Sequence, residues 1–163
     1  MTALCFLDTN ILIYTHDSQD ERKYQISRHI VAELTLKRSF AVSIQVINEY
    51  YNVATSKPEQ KERRSVYRDN ARRLRHACTA PLNLEVAETA WSLQEITNYA
   101  WWDLLIIASA LKAGCRYLLT EDMTHGHEFG DLTIVNPFFA DFDDVVEKLG
   151  IDPPLSPFGE PWP

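Results

Sequence analysis

Four acidic residues stand at the margins of apolar segments, where a soluble fold has no need of charge: Asp8, Glu49, Asp103 and Asp122. Asp8 follows the apolar run Ala3–Leu7, Asp122 follows Tyr117–Thr120, and both runs read as interior strands. Ligands of an open parallel sheet bind beyond the carboxyl ends of its strands, which is where both residues fall. Glu49 borders the apolar stripe of the helical segment Ile44–Thr55, about 40° from Val53 and about 60° from Val46 at ~100° per residue. Asp103 opens Asp103–Ala113, the most apolar helical pattern in the chain.

Each carboxylate also has a purely structural explanation. Asp8, Thr9 and Asn10 are all good N-caps for a helix starting near Ile11, and Asp103 suits an N-cap flanked by a Trp102–Ile107 hydrophobic staple. Glu49 could be a helix-margin residue, and Glu121-Asp122 a turn. The joint arrangement favours chemistry, because unrelated caps need not gather at one end of a sheet. Gathered there, each pair would repel by roughly 3 kcal/mol at ~6 Å and an effective dielectric of ~20, on the order of 15 kcal/mol in all. That equals a whole domain's stability of ~5–15 kcal/mol, so the group must take up protons or bind cations. Oxygen-only ligands suit hard ions, Mg²⁺ or Mn²⁺, and metal-activated attack of water on a phosphodiester follows from such a site.

The elements that position these residues alternate between strand and helix, which predicts an α/β domain with a mainly parallel sheet. Glu21–Ser39 carries Ile26, Ile30 and Leu34 at four-residue spacing and reads as an amphipathic helix. Phe40–Ser43 reads as a second strand, with Ser43 capping the next helix. Glu59–His76 reads as one long charged helix and Glu85–Thr97 as a further amphipathic one. Gly114 is a natural stop for Asp103–Ala113, and Leu132–Val135 reads as the last strand. Five of the eight prolines lie between Pro153 and Pro163, a composition expected of an extended arm or frayed tail.

Phe6-Leu7-Asp8-Thr9-Asn10-Ile11-Leu12-Ile13-Tyr14 resembles the opening of PIN-domain nucleases. Trp102-Asp103-Leu104 through Gly114-Cys115, followed by Leu118-Leu119-Thr120-Glu121-Asp122, is similar to that family's other signature. The ending Gly130-Asp131-Leu132-Thr133-Ile134-Val135-Asn136-Pro137-Phe138 resembles VapC-type toxin ribonucleases in particular, and the likeness covers about residues 3–138. The resemblance implies a three-layer α/β/α domain over residues 1–138 with an acidic, Pro-rich extension over 139–163. It further implies a Mg²⁺- or Mn²⁺-dependent endoribonuclease with the quartet Asp8, Glu49, Asp103 and Asp122. Asp8, Asp103 and Asp122 would hold the metal, and Thr9 and Thr120 would supply hydroxyls near it. Glu121 is a rival to Asp122. A homodimer restrained by a co-produced antitoxin, with RNA as substrate, completes the implied picture.

Net charge is −7, yet eight of the 16 Lys and Arg residues lie between Lys57 and Arg75. On a helical wheel Lys61, Arg64, Arg68, Arg72 and Arg75 share a sector of roughly 80°. Arg64, Arg68, Arg72 and Arg75 are therefore candidate RNA contacts, against the alternative of a solvated face with ion pairs. His125 and His127 read as loop residues rather than a transition-metal pair. Trp101 and Trp102 could stack on bases, with a staple into the core as the alternative. Apolar residues at 45% and charged residues at 24% exclude wholesale disorder. No apolar run reaches the ~20 residues of a membrane span. Three scattered cysteines suggest a reduced, cytoplasmic setting. Two rival functions remain open at this level. One is a Mg²⁺-dependent phosphatase with Asp8 as nucleophile, against which Asn10 stands where that chemistry wants a second Asp. The other is a non-catalytic module whose acidic crevice receives a partner's Lys or Arg.

Overall fold

Three consecutive apolar residues, Cys5–Leu7, form strand β1 and are fully buried, as befits a strand covered on both faces. The computed structural model describes residues 4–154. After β1 come α1 (Thr9–Tyr14), α2 (Glu21–Lys37), β2 (Phe40–Ala41), α3 (Ile44–Ala54) and α4 (Arg64–Arg73). Then follow α5 (Leu84–Gln94), α6 (Trp101–Lys112), β3 (Tyr117–Leu119), β4 (Glu128–Phe129), β5 (Leu132–Val135) and α7 (Phe142–Leu149). The five strands form one sheet in the order β2-β1-β3-β5-β4. All neighbours are parallel except β4, which runs antiparallel to β5. Helices flank this sheet, which is the α/β architecture the alternating pattern predicts.

Register decides where the carboxylates emerge. Leu7 of β1 lies opposite Leu119 of β3, and Asp8 N–H donates to Leu119 O at 3.0 Å. Asp8 and Thr120 therefore leave the sheet side by side, at the carboxyl ends of adjacent parallel strands. The helix beneath them, α6, buries Leu104 through Ala110 and ends in a Schellman turn. There Gly114, at φ 69°, lets Cys115 N–H reach Ala110 O at 3.1 Å.

Three expectations need correction. The charged segment Glu59–His76 is not one helix: Pro58–Arg63 and Leu74–His76 are 3-10 turns on either side of α4. None of Pro58–Arg63 is buried, so no packing holds that stretch in an α-helix. Lys61 and Arg75 lie in these turns and fall outside the α4 ridge, while Arg64, Arg68 and Arg72 keep their four-residue spacing on α4. Ser43 sits at the N-cap of α3 but makes no side-chain capping bond, and its Oγ is buried without a partner among the described residues. Finally, the extension beyond residue 138 opens with a helix, α7, whose Phe142, Val145, Val146 and Leu149 recur at helical spacing, and only the two-residue strand β4 is too short to show a period.

The start of the extension beyond residue 138 is folded onto the core. Asp141 caps α7 by accepting from Asp143 N–H at 2.9 Å, and Val145 and Leu149 are buried. Beyond it, His29 Nε2 lies 2.7 Å from Asp152 O and fastens the chain to α2. The proline-rich stretch from Leu155 onward lies outside the described residues. Leu149→Ala is expected to cost about 2–4 kcal/mol of stability in urea denaturation. A change under about 0.5 kcal/mol would mean that α7 does not share the core.

Candidate active site

Asp8 takes the capping role its sequence position suggested and also faces the end of the neighbouring strand. As N-cap of α1 it accepts from Thr9 N–H at 2.7 Å through Oδ1. Its Oδ2 faces the neighbouring strand end, where it accepts from Thr120 Oγ1 at 2.7 Å and from Asn10 Nδ2 at 3.2 Å. Asn10 also donates to Asp122 Oδ2 at 2.9 Å, so one amide spans two carboxylates from opposite ends of the chain. Thr120 is fully buried and accepts from Asp122 N–H at 3.2 Å, so its hydroxyl is taken up inside the acid network.

Glu49 joins from α3. Its Oε2 accepts from Thr9 Oγ1 at 3.0 Å, and its Oε1 accepts from Gln45 Nε2 at 2.9 Å, one turn earlier on the same helix. Gln45 also donates to Trp102 O at 3.1 Å, which ties α3 to the start of α6. Asp103 comes from α6 at its third residue. The N-cap is Ala100, so the capping role predicted for Asp103 is not the one it takes. Trp102 is 63% exposed, and the predicted staple is not made. Asp8, Glu49, Asp103 and Asp122 all line one cleft, together with Asn10 and Gln45.

Asn10 and Gln45 are the residues that sequence reasoning missed as site components. The available signal was slight: Gln45 precedes Glu49 by four residues, one helical turn. Glu121 takes a different place. It pairs with Lys23 at 2.5 Å and accepts from Tyr14, with no position on the cleft. His125 Nδ1 accepts from Asn136 N–H, and His127 packs on Phe129 and bonds Tyr99, so both imidazoles serve the loop. Arg64, Arg68, Arg72 and Arg75 are exposed and do not line the cleft, and Arg72 is paired with Asp69. A second, broader cavity is lined instead by Arg28, Arg38, Arg63 and Arg73, over an apolar floor that includes Leu12, Val31 and Phe40.

The electrostatics are those of uncompensated negative charge. Burial pushes the Asp8 carboxyl up to about 6, with Asp122 and Glu49 adding to the rise and the bonds from Thr120 and Thr9 opposing it. Burial, then Asp122 and Glu49, also raise Asp103. Among the described residues none of the four carboxylates has a Lys or Arg partner, and Asp103 has no hydrogen-bond partner. Gln45 Oε1 is buried without a donor.

A divalent cation fits this donor set by chemistry, which is carboxylate oxygen throughout. Among the described residues no three acidic, imidazole or thiol groups stand close enough to clasp an ion by themselves. Mg²⁺ asks for less than that: it keeps several waters and takes one or two carboxylates plus substrate phosphate. An unpartnered Asp103 on the same cleft wall as Asp8 and Asp122 meets that requirement.

Comparison with known proteins gives the arrangement a context. No curated protein matches the chain significantly. Among solved structures it resembles a chain of the VapBC2 complex from Rickettsia felis, which was solved bound to a DNA fragment from its promoter. That match has 20% identity and a TM-score of 0.54, covering 80% of this chain and 96% of that one. A fainter likeness is to VapC20 of Mycobacterium tuberculosis, a sarcin-ricin loop cleaving toxin, at 16% identity and TM-score 0.48, covering 70% and 86%. The first of these likenesses speaks to the fold. The sequence pattern of the PIN domain matches residues 5–125, which holds β1, all four carboxylates and the strand ends that carry Asp8 and Asp122. The chain belongs to the PIN domain family.

Proposed function

We propose that this protein is a metal-dependent endoribonuclease, the toxin of a toxin–antitoxin pair. One observation carries the reading: four carboxylates from four separate elements line a single cleft at the carboxyl ends of parallel strands, with no protein cation among the described residues to balance them. Family membership supports the choice of nucleic acid as substrate.

Asp8, Asp103 and Asp122 would hold Mg²⁺ or Mn²⁺. When bound, that ion supplies Lewis acidity toward the phosphate and acidifies an attacking water. Glu49, fixed by Thr9 and Gln45, would position the attacking water and take the proton it gives up as it adds to phosphorus. The 3′ oxygen leaves and takes a proton from solvent. Asn10 and Thr120 orient Asp8 and Asp122, and Thr120 would supply its hydroxyl beside the metal.

Outer contacts to phosphate fall to Arg64, Arg68, Arg72 and Arg75. The cavity ringed by Arg28, Arg38, Arg63 and Arg73 suits an acidic, apolar segment of an antitoxin. The exposed Leu84 and Trp91 of α5, with Ile96 just beyond it, offer a face for a second copy, giving a homodimer. A cytoplasmic setting accords with three free cysteines; among the described residues no helix is long and apolar enough to cross a membrane.

Purified protein is expected to cut a structured RNA only with Mg²⁺ or Mn²⁺, and Asp8→Asn or Asp103→Asn should lower the rate at least ~100-fold, as loss of a metal ligand does. Equal cleavage by Asp8→Asn and wild type, in preparations free of contaminating nuclease, would overturn the proposal.

A second expectation concerns pH. The folded Asp8 carboxyl titrates at about 6 against an unperturbed 3.8, so the unfolded chain loses this proton first. Stability of the metal-free protein should therefore fall as pH rises through that window, by up to about 3 kcal/mol from this group. Asp8→Asn should remove that fall, and Mg²⁺ at neutral pH should stabilise wild type but not the variant in thermal denaturation. A wild-type profile flat between pH 4 and 6, with no response to Mg²⁺, would contradict it.

A further inference from the structure

Trp102 belongs neither to the acid network nor to the core. It is the second residue of α6, directly before Asp103, and 63% of it is exposed. Its neighbour Trp101 behaves differently: it packs against the core and stacks on Trp91, with ring centroids 6.2 Å apart and planes 21° apart. The backbone under Trp102 is held, because Gln45 Nε2 donates to its carbonyl at 3.1 Å while also donating to Glu49 at 2.9 Å. An exposed indole is thus anchored by the same amide that orients Glu49, and it lines the cleft with the four carboxylates.

The lining of that cleft sets a condition on substrate binding. It includes five carboxylates, Asp17 being the fifth, and among the described residues no Lys, Arg or His. A polyanion entering there meets no protein cation, and the exposed arginines of α4 do not reach the lining. A bound ion would take the scissile phosphate alone, so whatever holds the nucleotide beside it comes from groups indifferent to charge. An indole supplies a flat apolar face, and a nucleobase presents a matching π-face whatever its identity. A base inside a continuous duplex is already stacked on both sides and offers no free face.

Resting on the ribonuclease reading above, we infer that Trp102 stacks on an unpaired nucleobase adjoining the scissile phosphate. The substrate is then RNA with a splayed base at that point, in a loop, bulge or single strand, and not an uninterrupted duplex. Val53, 48% exposed and also on the cleft wall, gives the base a second apolar neighbour.

The test uses the full chain in Mg²⁺ with three probes: a short unstructured oligoribonucleotide, a set of copies with one base removed at each position in turn, and a fully paired duplex. Trp102→Leu is expected to raise KM roughly 5- to 100-fold, the range for losing one base–aromatic stack, with kcat within about threefold. Trp102→Phe should recover most of the loss. Removing the base beside the cut bond should raise the wild-type KM by a similar factor and leave that of Trp102→Leu unchanged, a non-additivity that a structural role would not produce. The duplex should be cut poorly by all three proteins. Fluorescence of wild type should be quenched by the unstructured RNA, and that of Trp102→Phe far less.

A KM for Trp102→Leu within twofold of wild type, with RNA still cut, would overturn the stack and leave the nuclease reading standing. Quenching that depends on Trp102, without cleavage by wild type, would sink the nuclease reading alone. Neither quenching nor cleavage would end both. Conversion of a dimer to monomer by Trp102→Leu in sedimentation, with normal KM, would assign the indole to a subunit contact instead.

Discussion

Repulsion between carboxylates is the constraint around which this fold is arranged. Asp8 is almost wholly buried, and the neighbouring charges of Asp122 and Glu49 make its ionised form dearer still. Neutral donors answer only part of that cost. Thr120, Asn10 and the Thr9 amide point hydrogens at Asp8, and Thr9 and Gln45 do the same for Glu49. Such bonds fix the oxygens in place without cancelling their charge. The protein thus holds an anionic cluster in a defined geometry and leaves its neutralisation to something from outside. That is what a site for a cation and a phosphodiester requires, since preorganised ligands lose little freedom when the guest arrives.

The scaffold meets this demand through sheet register. Parallel pairing of β1 with β3 sets Leu7 against Leu119, so the next residue on each strand emerges at the same edge. From there α1 begins at once, capped by Asp8 itself, and its first turn carries Thr9 and Asn10 into contact with α3 and with the β3 end. The apolar α6 is buried along seven consecutive residues, Leu104–Ala110, and this anchors Asp103 just before the buried stretch starts. Core burial and site geometry are therefore one arrangement, and a shift of any of these elements would move a carboxylate.

Much of this was legible in the residue pattern. Asp8 and Asp122 end short apolar runs, and strands that end in charge at the carboxyl edge of a parallel sheet are a readable signal. Glu49 was weaker, because a residue at the margin of a helical stripe looks the same whether it faces solvent or a cleft. Asp103 was placed correctly in the chain but misread locally: α6 starts two residues earlier, at Trp101, so the supposed cap is an interior position of the first turn. Asn10 and Gln45 could not be found, since polar residues that orient other polar residues leave no periodic trace. The charged segment before Leu74 looked helical from its wheel, but a wheel assumes a helix. Without a buried face, Pro58–Arg63 settles into 3-10 turns.

The account stands most directly on metal placement. A crystal grown in Mn²⁺ and measured near the manganese absorption edge should show one strong anomalous peak in the cleft, about 2.0–2.3 Å from oxygens of one or two of Asp8, Asp103 and Asp122, with waters bridging to the rest. Full saturation with Mn²⁺ and no peak in that cleft, the carboxylates turned away from one another, would contradict it.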